Sequence, residues 1–443
     1  MQAFLPMNTR LKRNKTVHVI TLGCSKNTVD SEYLLRQLEE NGFKTMHDTS
    51  HEHASVVIIN TCGFILDAKQ ESIDTILRFA EAREKGQINK LMVIGCLSQR
   101  YGEQLKREIP AVDAYFGVDR LQEVVETLGG QYKQELIGER HLTTPSHYAY
   151  LKISEGCDRH CAFCSIPLIR GRHVSKPVDC LIREAEYLAH QGVKELILIA
   201  QDLSYYGIDL YGKPMLPFLL KKLIATNHFN WIRLHYLFPK KLPLRILDIM
   251  RDNRNICHYI DIPFQHIADP VLRKMRRGIN ARETRQLIYN IRRKVPGIHI
   301  RTTILVGHPG ETDKDFQDLL DFVKETRFER LGAFIYSHEE DTFAFKKYKD
   351  HIPLKVKKAR FETLMNLQRD ISNEINNSKL GQVFKVLIDR REGGHFAGRT
   401  EYDSPEIDNE VLVKPAGKPL KPGQFCEVRI TGADDFDLLG EVT

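Results

Sequence analysis

Residues 15–130 alternate short apolar runs with amphipathic stretches. The runs are Val17–Leu22, Val56–Ile59 and Leu91–Ile94. Between them lie DSEYLLRQLEENG and DAKQESIDTILRFAEAREKG, with apolar residues at three- and four-residue spacing and a terminal Gly. Short apolar runs between helical periods predict strands alternating with helices, and hence a parallel α/β sheet. Residues 145–370 continue the alternation in longer units. Strands are expected at Ala149–Ser154, Glu195–Gln201, Ile232–Tyr236, Tyr259–Pro263, His299–Val306 and Leu331–Tyr336, with helical stretches such as CLIREAEYLAHQG and TRQLIYNIRRKVPG between them. Six βα units fit an open, partial (βα)6 barrel of the TIM type, whose chemistry sits in the loops at the carboxyl ends of the strands. From residue 376 the period changes to two, in FKVLIDR, EVLVKP and FCEVRITG, with Gly and Pro turns between. That pattern predicts a small antiparallel β-barrel. The fold class is therefore α/β with a terminal β-barrel, in three domains at 15–135, 143–375 and 377–443.

Composition narrows the class. The chain has 443 residues, 42% hydrophobic and 28% charged, as in an ordinary globular protein of roughly three domains. No apolar run approaches the roughly 18 residues of a membrane span. The start, MQAFLPMNTRLKRNK, is basic but lacks the apolar core of a signal peptide, so a cytoplasmic location is expected. Nine cysteines in such a compartment point to metal or catalytic roles rather than disulfides. The net charge of +7 permits a nucleic-acid partner without arguing for one. Residues 377–443 hold nine Lys and Arg against twelve Asp and Glu, the wrong sign for phosphate binding. Their acidic stretch EYDSPEIDNE, with Glu401, Asp403, Glu406, Asp408 and Glu410, is expected to steer a basic protein partner.

Two sets of cysteines carry the candidate chemistry. Cys157, Cys161 and Cys164 stand in EGCDRHCAFC, spaced C-x3-C-x2-C, directly after the first barrel strand. A structural zinc site wants four ligands and usually two C-x2-C pairs. A thioredoxin-like dithiol of Cys161 and Cys164 would leave Cys157 idle. Three thiolates from one loop suit three corners of a cubane iron–sulfur cluster, leaving the fourth iron open to a small molecule. The other set lies at the ends of the three apolar runs: TLGC at Cys24, INTC at Cys62 and IGC at Cys96. Free cysteine is often just a small buried apolar residue. Open parallel sheets, however, bind ligands beyond the carboxyl ends of their strands, where all three of these would fall. Cys180, Cys257 and Cys426 have no partners at ligand spacing and read as packing residues. Gln201 and Arg301 are polar residues in strand-like segments of the barrel, where a polar side chain needs a partner. They are expected to line a cofactor or substrate pocket, with an ion pair or hydrogen bond inside the barrel wall as the alternative.

The motifs together resemble the radical S-adenosylmethionine (SAM) methylthiotransferase family over nearly the whole chain. The resemblance rests on LGCSKNTVDSE, NTCGFILDAKQESID and GCLSQRY around the first three cysteines, and on SEGCDRHCAFCSIPLIRGRHVSKP around the second three. DIPFQHIAD, MRRG, RTTILVGHPGET, FIYSHEEDT and GRTEYDSPEID extend it. Ser25, His308 and Asn409 depart from the usual residues without touching a cysteine of either set. The first motif resembles that of the branch acting on a ribosomal protein, with the sister branch acting on tRNA adenosine as the alternative. The resemblance implies an N-terminal methylthiotransferase domain, a radical SAM barrel and a terminal TRAM domain. It implies two [4Fe–4S] clusters, one on Cys24, Cys62 and Cys96 and a SAM-binding one on Cys157, Cys161 and Cys164. The implied reaction inserts a methylthio group at the β-carbon of an aspartate of small-subunit ribosomal protein S-twelve. An electron-donor protein is implied as a second partner, with neither membrane nor tRNA. A non-catalytic iron–sulfur carrier is the alternative of another class, though a carrier would not need open irons or a barrel mouth.

Overall fold

The three apolar runs of the first segment become the central strands of a parallel sheet. The computed structural model describes residues 16–48, 54–415 and 420–443, so the basic amino-terminal stretch lies outside the described residues. The chain divides into two compact units: Met1–Thr143 with Ile166–Arg172, and Thr144–Ser165 with His173–Thr443. In the first unit, β1 (Thr16–Thr21), β2 (Lys44–His47), β3 (Val56–Thr61), β4 (Lys90–Gly95) and β5 (Ala114–Tyr115) pair in parallel, in the order β2-β1-β3-β4-β5. The helices are α1 (Ser25–Glu40), α2 (Leu66–Glu84), α3 (Cys96–Glu108), α4 (Leu121–Thr127) and α5 (Ile166–Arg170).

Strands covered on both faces read as unbroken apolar runs, because alternate residues meet different helices. Val17, Val19, Val56, Ile58, Met92 and Ile94 pack with Leu34, Leu35 and Leu38 of α1 and with Val124 and Val125 of α4. Val57, Ile59, Leu91 and Val93 pack on the other face with Ile76 and Phe79 of α2 and Leu97 and Leu105 of α3. Each fully buried aliphatic side chain contributes roughly 1.5–3 kcal/mol.

The second unit begins with β6 (Tyr148–Lys152). A short antiparallel pair, β7 (Ser154–Glu155) with β8 (Val174–Ser175), follows it. Then come β9 (Glu195–Ile199), β10 (Trp231–Leu234), β11 (Ile256–Asp261), β12 (His299–Val306) and β13 (Arg330–Ile335). Six strands pair in parallel in the order β13-β12-β11-β10-β9-β6, an open partial barrel as expected. The 24-residue helix Leu354–Asn377 leads to a closed barrel of β14 (Val383–Glu392), β15 (His395–Arg399), β16 (Val411–Lys414), β17 (Phe425–Ala433) and β18 (Leu438–Val442). Every junction is antiparallel except β16 with β18, which is parallel because β17 intervenes between them in the chain. Val386, Ile388, Val411, Val413, Val428 and Ile430 fill its core. Among the described residues, no helix is long and apolar enough to cross a membrane.

The acidic stretch does not form the free docking surface expected of it. It inserts into the partial barrel. Asp403 is ion-paired with Arg330, and Asp408 lies 3.2 Å from Arg301 and accepts a 2.7 Å bond from the Tyr259 hydroxyl. The Tyr148 hydroxyl donates to Glu406 at 3.0 Å, the His258 amide donates to Glu401 at 2.9 Å, and Ser404 meets His235 at 2.8 Å. Glu410 pairs with Arg390 of the small barrel itself. Beside this plug, Arg399 bridges Asp389 at 2.6 Å and Glu195 at 2.9 Å, and Glu195 also holds Arg233 at 2.7 Å. The sequence bias is real, but the counter-charges of Asp403 and Asp408 are barrel arginines far away along the chain.

This arrangement gives a pH signature. Burial pushes Asp389 and Asp403 up, but Arg399 with His147, and Arg330 with Lys379, outweigh it and hold each carboxyl at about 2. A carboxylate depressed below its unfolded value of about 3.8 contributes stability above that value and loses it as pH falls to the folded one. Each contributes on the order of 2 kcal/mol. We expect the unfolding free energy of the chain to fall between pH 4 and 2. Asp403→Asn should be less stable at neutral pH and show a shallower acid slope. An equal slope in the variant would remove Asp403 from the account.

Candidate functional site

The first unit brings Cys24, Cys62 and Cys96 to adjacent strand ends. β1, β3 and β4 are neighbours in the sheet, and the strand order reverses direction beside β1, where such sheets bind ligands. Cys62 follows β3 directly, and Cys96 follows β4 as the first residue of α3. Cys24 caps α1 in extended conformation. Glycines let these loops close on one another. Gly23 has φ of +93°, and a Cβ there would lie 2.6 Å from the Cys62 Cβ and 3.0 Å from its Sγ. A Cβ at Gly63 would lie 2.9 Å from the backbone of Cys96 and Leu97. Any side chain at either position would push two cysteine loops apart.

A polar lattice fixes this rim. The Asn27 side-chain amide donates to the Leu22 carbonyl at 2.7 Å and the Thr61 carbonyl at 3.1 Å, tying the loops after β1 and β3. Its Oδ1 accepts from Arg170 at 2.6 Å. Arg170, on α5, also pairs with Asp30 at 3.3 Å and hydrogen-bonds Cys96. Ser72 accepts the Cys62 amide and donates back to its carbonyl, both at 3.1 Å. Burial raises the Cys62 thiol, and the nearby Cys24 raises it further. Burial likewise takes Cys96 to about 11, with Cys24 and Cys62 adding to the rise against Arg170. The three thiols thus share one electrostatic environment. Positive charge placed beside them, which an iron–sulfur cluster would provide, would favour the thiolates of Cys62 and Cys96 against this burial.

In the second unit the loop after β7 carries the other three cysteines. The Arg159 amide donates to the Cys157 Sγ at 3.4 Å, and the Cys164 amide closes a turn on the Cys161 carbonyl at 3.2 Å. Burial takes the Cys157 thiol to about 11, with Asp202 and Cys161 adding to it against Arg159. Arg159 itself pairs with Asp202 at 2.7 Å. The Arg277 guanidinium donates to the Cys161 Sγ at 3.1 Å. Phe238 lies between these two arginines, its ring 4.3 Å from each. Behind the loop, Ala162 and Phe163 pack with Val271, Met275, Leu305 and Tyr336 in an apolar cluster. Among the described residues, no three His, Cys, Asp or Glu side chains close on a single metal ion. A cubane does not need them to, because it spreads its ligands over separate irons. Both donor sets fit such a group.

Of the two other expected pocket residues, Gln201 reaches the cysteine loop. Its amide donates to Glu155 at 2.9 Å, and Glu155 also holds Lys152 at 2.7 Å. Arg301 instead stands between Asp261 and Asp408, at 3.2 Å from each, inside the plug. Cys257 packs with Trp231, Tyr259 and Leu387, and Cys426 against the small-barrel core. Cys180 accepts from Arg183 of its own helix at 3.4 Å. The sequence reading missed Asn27, Arg170 and Arg277. All three stand inside quoted motifs, KNTVDSE, SIPLIRG and MRRG, but nothing in the linear pattern separates them from surface residues.

Family comparisons agree with this anatomy. Residues 16–117 match an uncharacterized protein family, UPF0004, residues 151–323 match the radical SAM superfamily, and residues 380–443 match the TRAM domain. The ribosomal protein uS12 methylthiotransferase RimO of Cytophaga hutchinsonii is 53% identical over 436 residues, covering 98% of this chain and 100% of its own. That of Phocaeicola vulgatus is 53% identical over 432 residues, with 98% and 100% covered. Among solved structures, the radical SAM methyltransferase TsrM of Kitasatospora setae, with cobalamin and a [4Fe-4S] cluster bound, aligns with a TM-score of 0.52 at 14% identity. It covers 73% of this chain and 72% of that one, a likeness of fold alone. A partial parallel barrel with a three-cysteine loop after its first strand defines a radical SAM protein. More narrowly, the chain belongs to the RimO family of ribosomal protein uS12 methylthiotransferases.

Proposed function

We propose that the chain inserts a methylthio group at the β-carbon of an aspartate in ribosomal protein uS12. One observation carries this reading: two separate three-cysteine sites in a chain 53% identical, over 98% of its length, to a uS12 methylthiotransferase. When bound, a [4Fe–4S] cluster on Cys157, Cys161 and Cys164 supplies the electron that cleaves SAM, and one on Cys24, Cys62 and Cys96 holds the sulfur to be transferred. Acid–base side chains cannot open an unactivated C–H bond, so the protein's own task is to bind, orient and exclude water.

The chain's residues suit that task. Gln201 has a buried Oε1 with no hydrogen-bond partner, beside the cysteine loop. It is placed to accept a bond from a cationic donor such as the amino group of SAM. Arg301, held by Asp261 and Asp408, supports the barrel interior rather than the ligand. The apolar cluster behind Phe163 shields the loop from water. A cytoplasmic reaction fed by an electron-donor protein completes the reading, with uS12 met on the ribosome and tRNA not a substrate.

Mass spectrometry of uS12 from cells with and without the gene tests it. The expected result is a methylthio increment on one aspartate, present only with the gene. Unmodified uS12 in both strains, with a gene-dependent methylthio group on tRNA adenosine, would overturn it.

A further inference from the structure

Arg277 is a buried charge with no carboxylate. Seven arginines lie almost wholly inside the described chain. Six have acidic partners: Arg140 with Glu32, Arg170 with Asp30, Arg233 with Glu195, Arg330 with Asp403, Arg360 with Glu311 and Arg399 with Asp389. Arg277 is 4% exposed and is the exception among the described residues. Its Nη2 donates to the Pro263 carbonyl at 2.5 Å, its Nη1 to the Cys161 Sγ at 3.1 Å, and its Nε is buried without a partner. On its open face is the Phe238 ring, which offers a weak cation–π contact but no charge. Arg159, across the same ring, has Asp202.

A guanidinium cannot discard its proton, and a buried charge without a counter-ion costs several kcal/mol. The chain therefore carries a cation whose partner must arrive at Cys161. Three thiolates around a [4Fe–4S]2+ core leave a net negative charge, and one-electron reduction adds another. Hydrogen bonds to the sulfurs and nearby charge set the potential of such a group. We propose that Arg277 is the counter-ion of the second cysteine site and raises its reduction potential by hydrogen-bonding the Cys161 sulfur. Arg277 is a positioning residue that acts through the ligand, and the inference rests on the cluster reading above.

The test uses the full chain with Cys24, Cys62 and Cys96 changed to Ala, so that only one site reports. Iron and sulfide analysis comes first. Failure of this parent chain to load would strike the cluster reading itself, separately from Arg277. The midpoint potential is then measured by spectroscopic titration in the parent, R277K and R277Q. We expect R277Q to lower the ratio of reduced to oxidised cluster at fixed potential at least tenfold, which is 59 mV for a one-electron couple. R277K should recover part of that. If R277Q does not load, R277K carries the comparison, with a smaller fall expected. A second readout needs no cluster. R277L should leave the apo chain as stable as the parent or more so, and should destabilise only the loaded chain. Unchanged potentials in the loaded variants, or equal destabilisation of apo and loaded R277L, would overturn the proposal.

Discussion

Changing Cys157, Cys161 and Cys164 together to Ala should abolish cleavage of SAM and leave about half of the iron, since three coupled ligands act as one site. The structure makes this a sharp expectation because the two cysteine sets belong to different compact units. The loop after β7 can lose its thiols while the loops at β1, β3 and β4 keep their own glycine contacts and Asn27 lattice. The readout is 5′-deoxyadenosine from SAM and dithionite in anaerobically reconstituted protein. It should fall to background, and methylthiolated uS12 should vanish with it. Full iron in the variant, or none, would contradict separate sites. Zinc without acid-labile sulfide in the parent protein would contradict clusters altogether.

What could be read without coordinates follows burial. β1, β3 and β4 are covered on both faces, so each is an apolar run that no surface element imitates. β2 and β5 are the sheet's edges. Lys44–His47 has no fully buried residue and Ala114–Tyr115 is two residues long, so neither leaves a hydrophobic signature. In the small barrel, β15 (HFAGR) and β18 (LLGEV) were missed because Gly398 and Gly440 sit where the opposing strands leave no room for a Cβ. Each glycine interrupts the period-two pattern it serves. The cysteines were legible because C-x3-C-x2-C spacing singles out one set and the ends of three apolar runs the other. Their arginines were not. Arg170 and Arg277 gain meaning only from what folding brings to them, Asn27 in one case and Cys161 across more than a hundred residues in the other. The plug failed for the same reason: Asp403 and Asp408 look like solvated surface until Arg330 and Arg301 are placed beside them.

Changing Cys24, Cys62 and Cys96 to Ala should have the opposite kinetic signature. Deoxyadenosine should still form, because the loop at Cys157, its Arg159–Asp202 pair and the Gln201–Glu155 contact lie wholly in the other unit. Methylthiolated uS12 should not form. The loss should be complete rather than partial if the proposed first cluster needs all three thiols, whose loops are held together by the packing of Gly23 on Cys62 and Gly63 on Cys96. A single Cys62→Ala variant should behave almost like the triple one. Cys62 is the middle member, packed beneath Gly23 and tied by Ser72 on both its amide and its carbonyl. Fold loss is separable from site loss. Replacing the buried thiol with a methyl removes one polarizable atom from a site that is 8% exposed, a change of roughly 1–2 kcal/mol that the sheet should tolerate. A melting temperature lowered by only a few degrees in the apo variant, with SAM cleavage kept and uS12 unmodified, is therefore the expected triad of results. Normal methylthiolation by the triple variant would mean that sulfur reaches the aspartate without these cysteines, and the first site would lose its role.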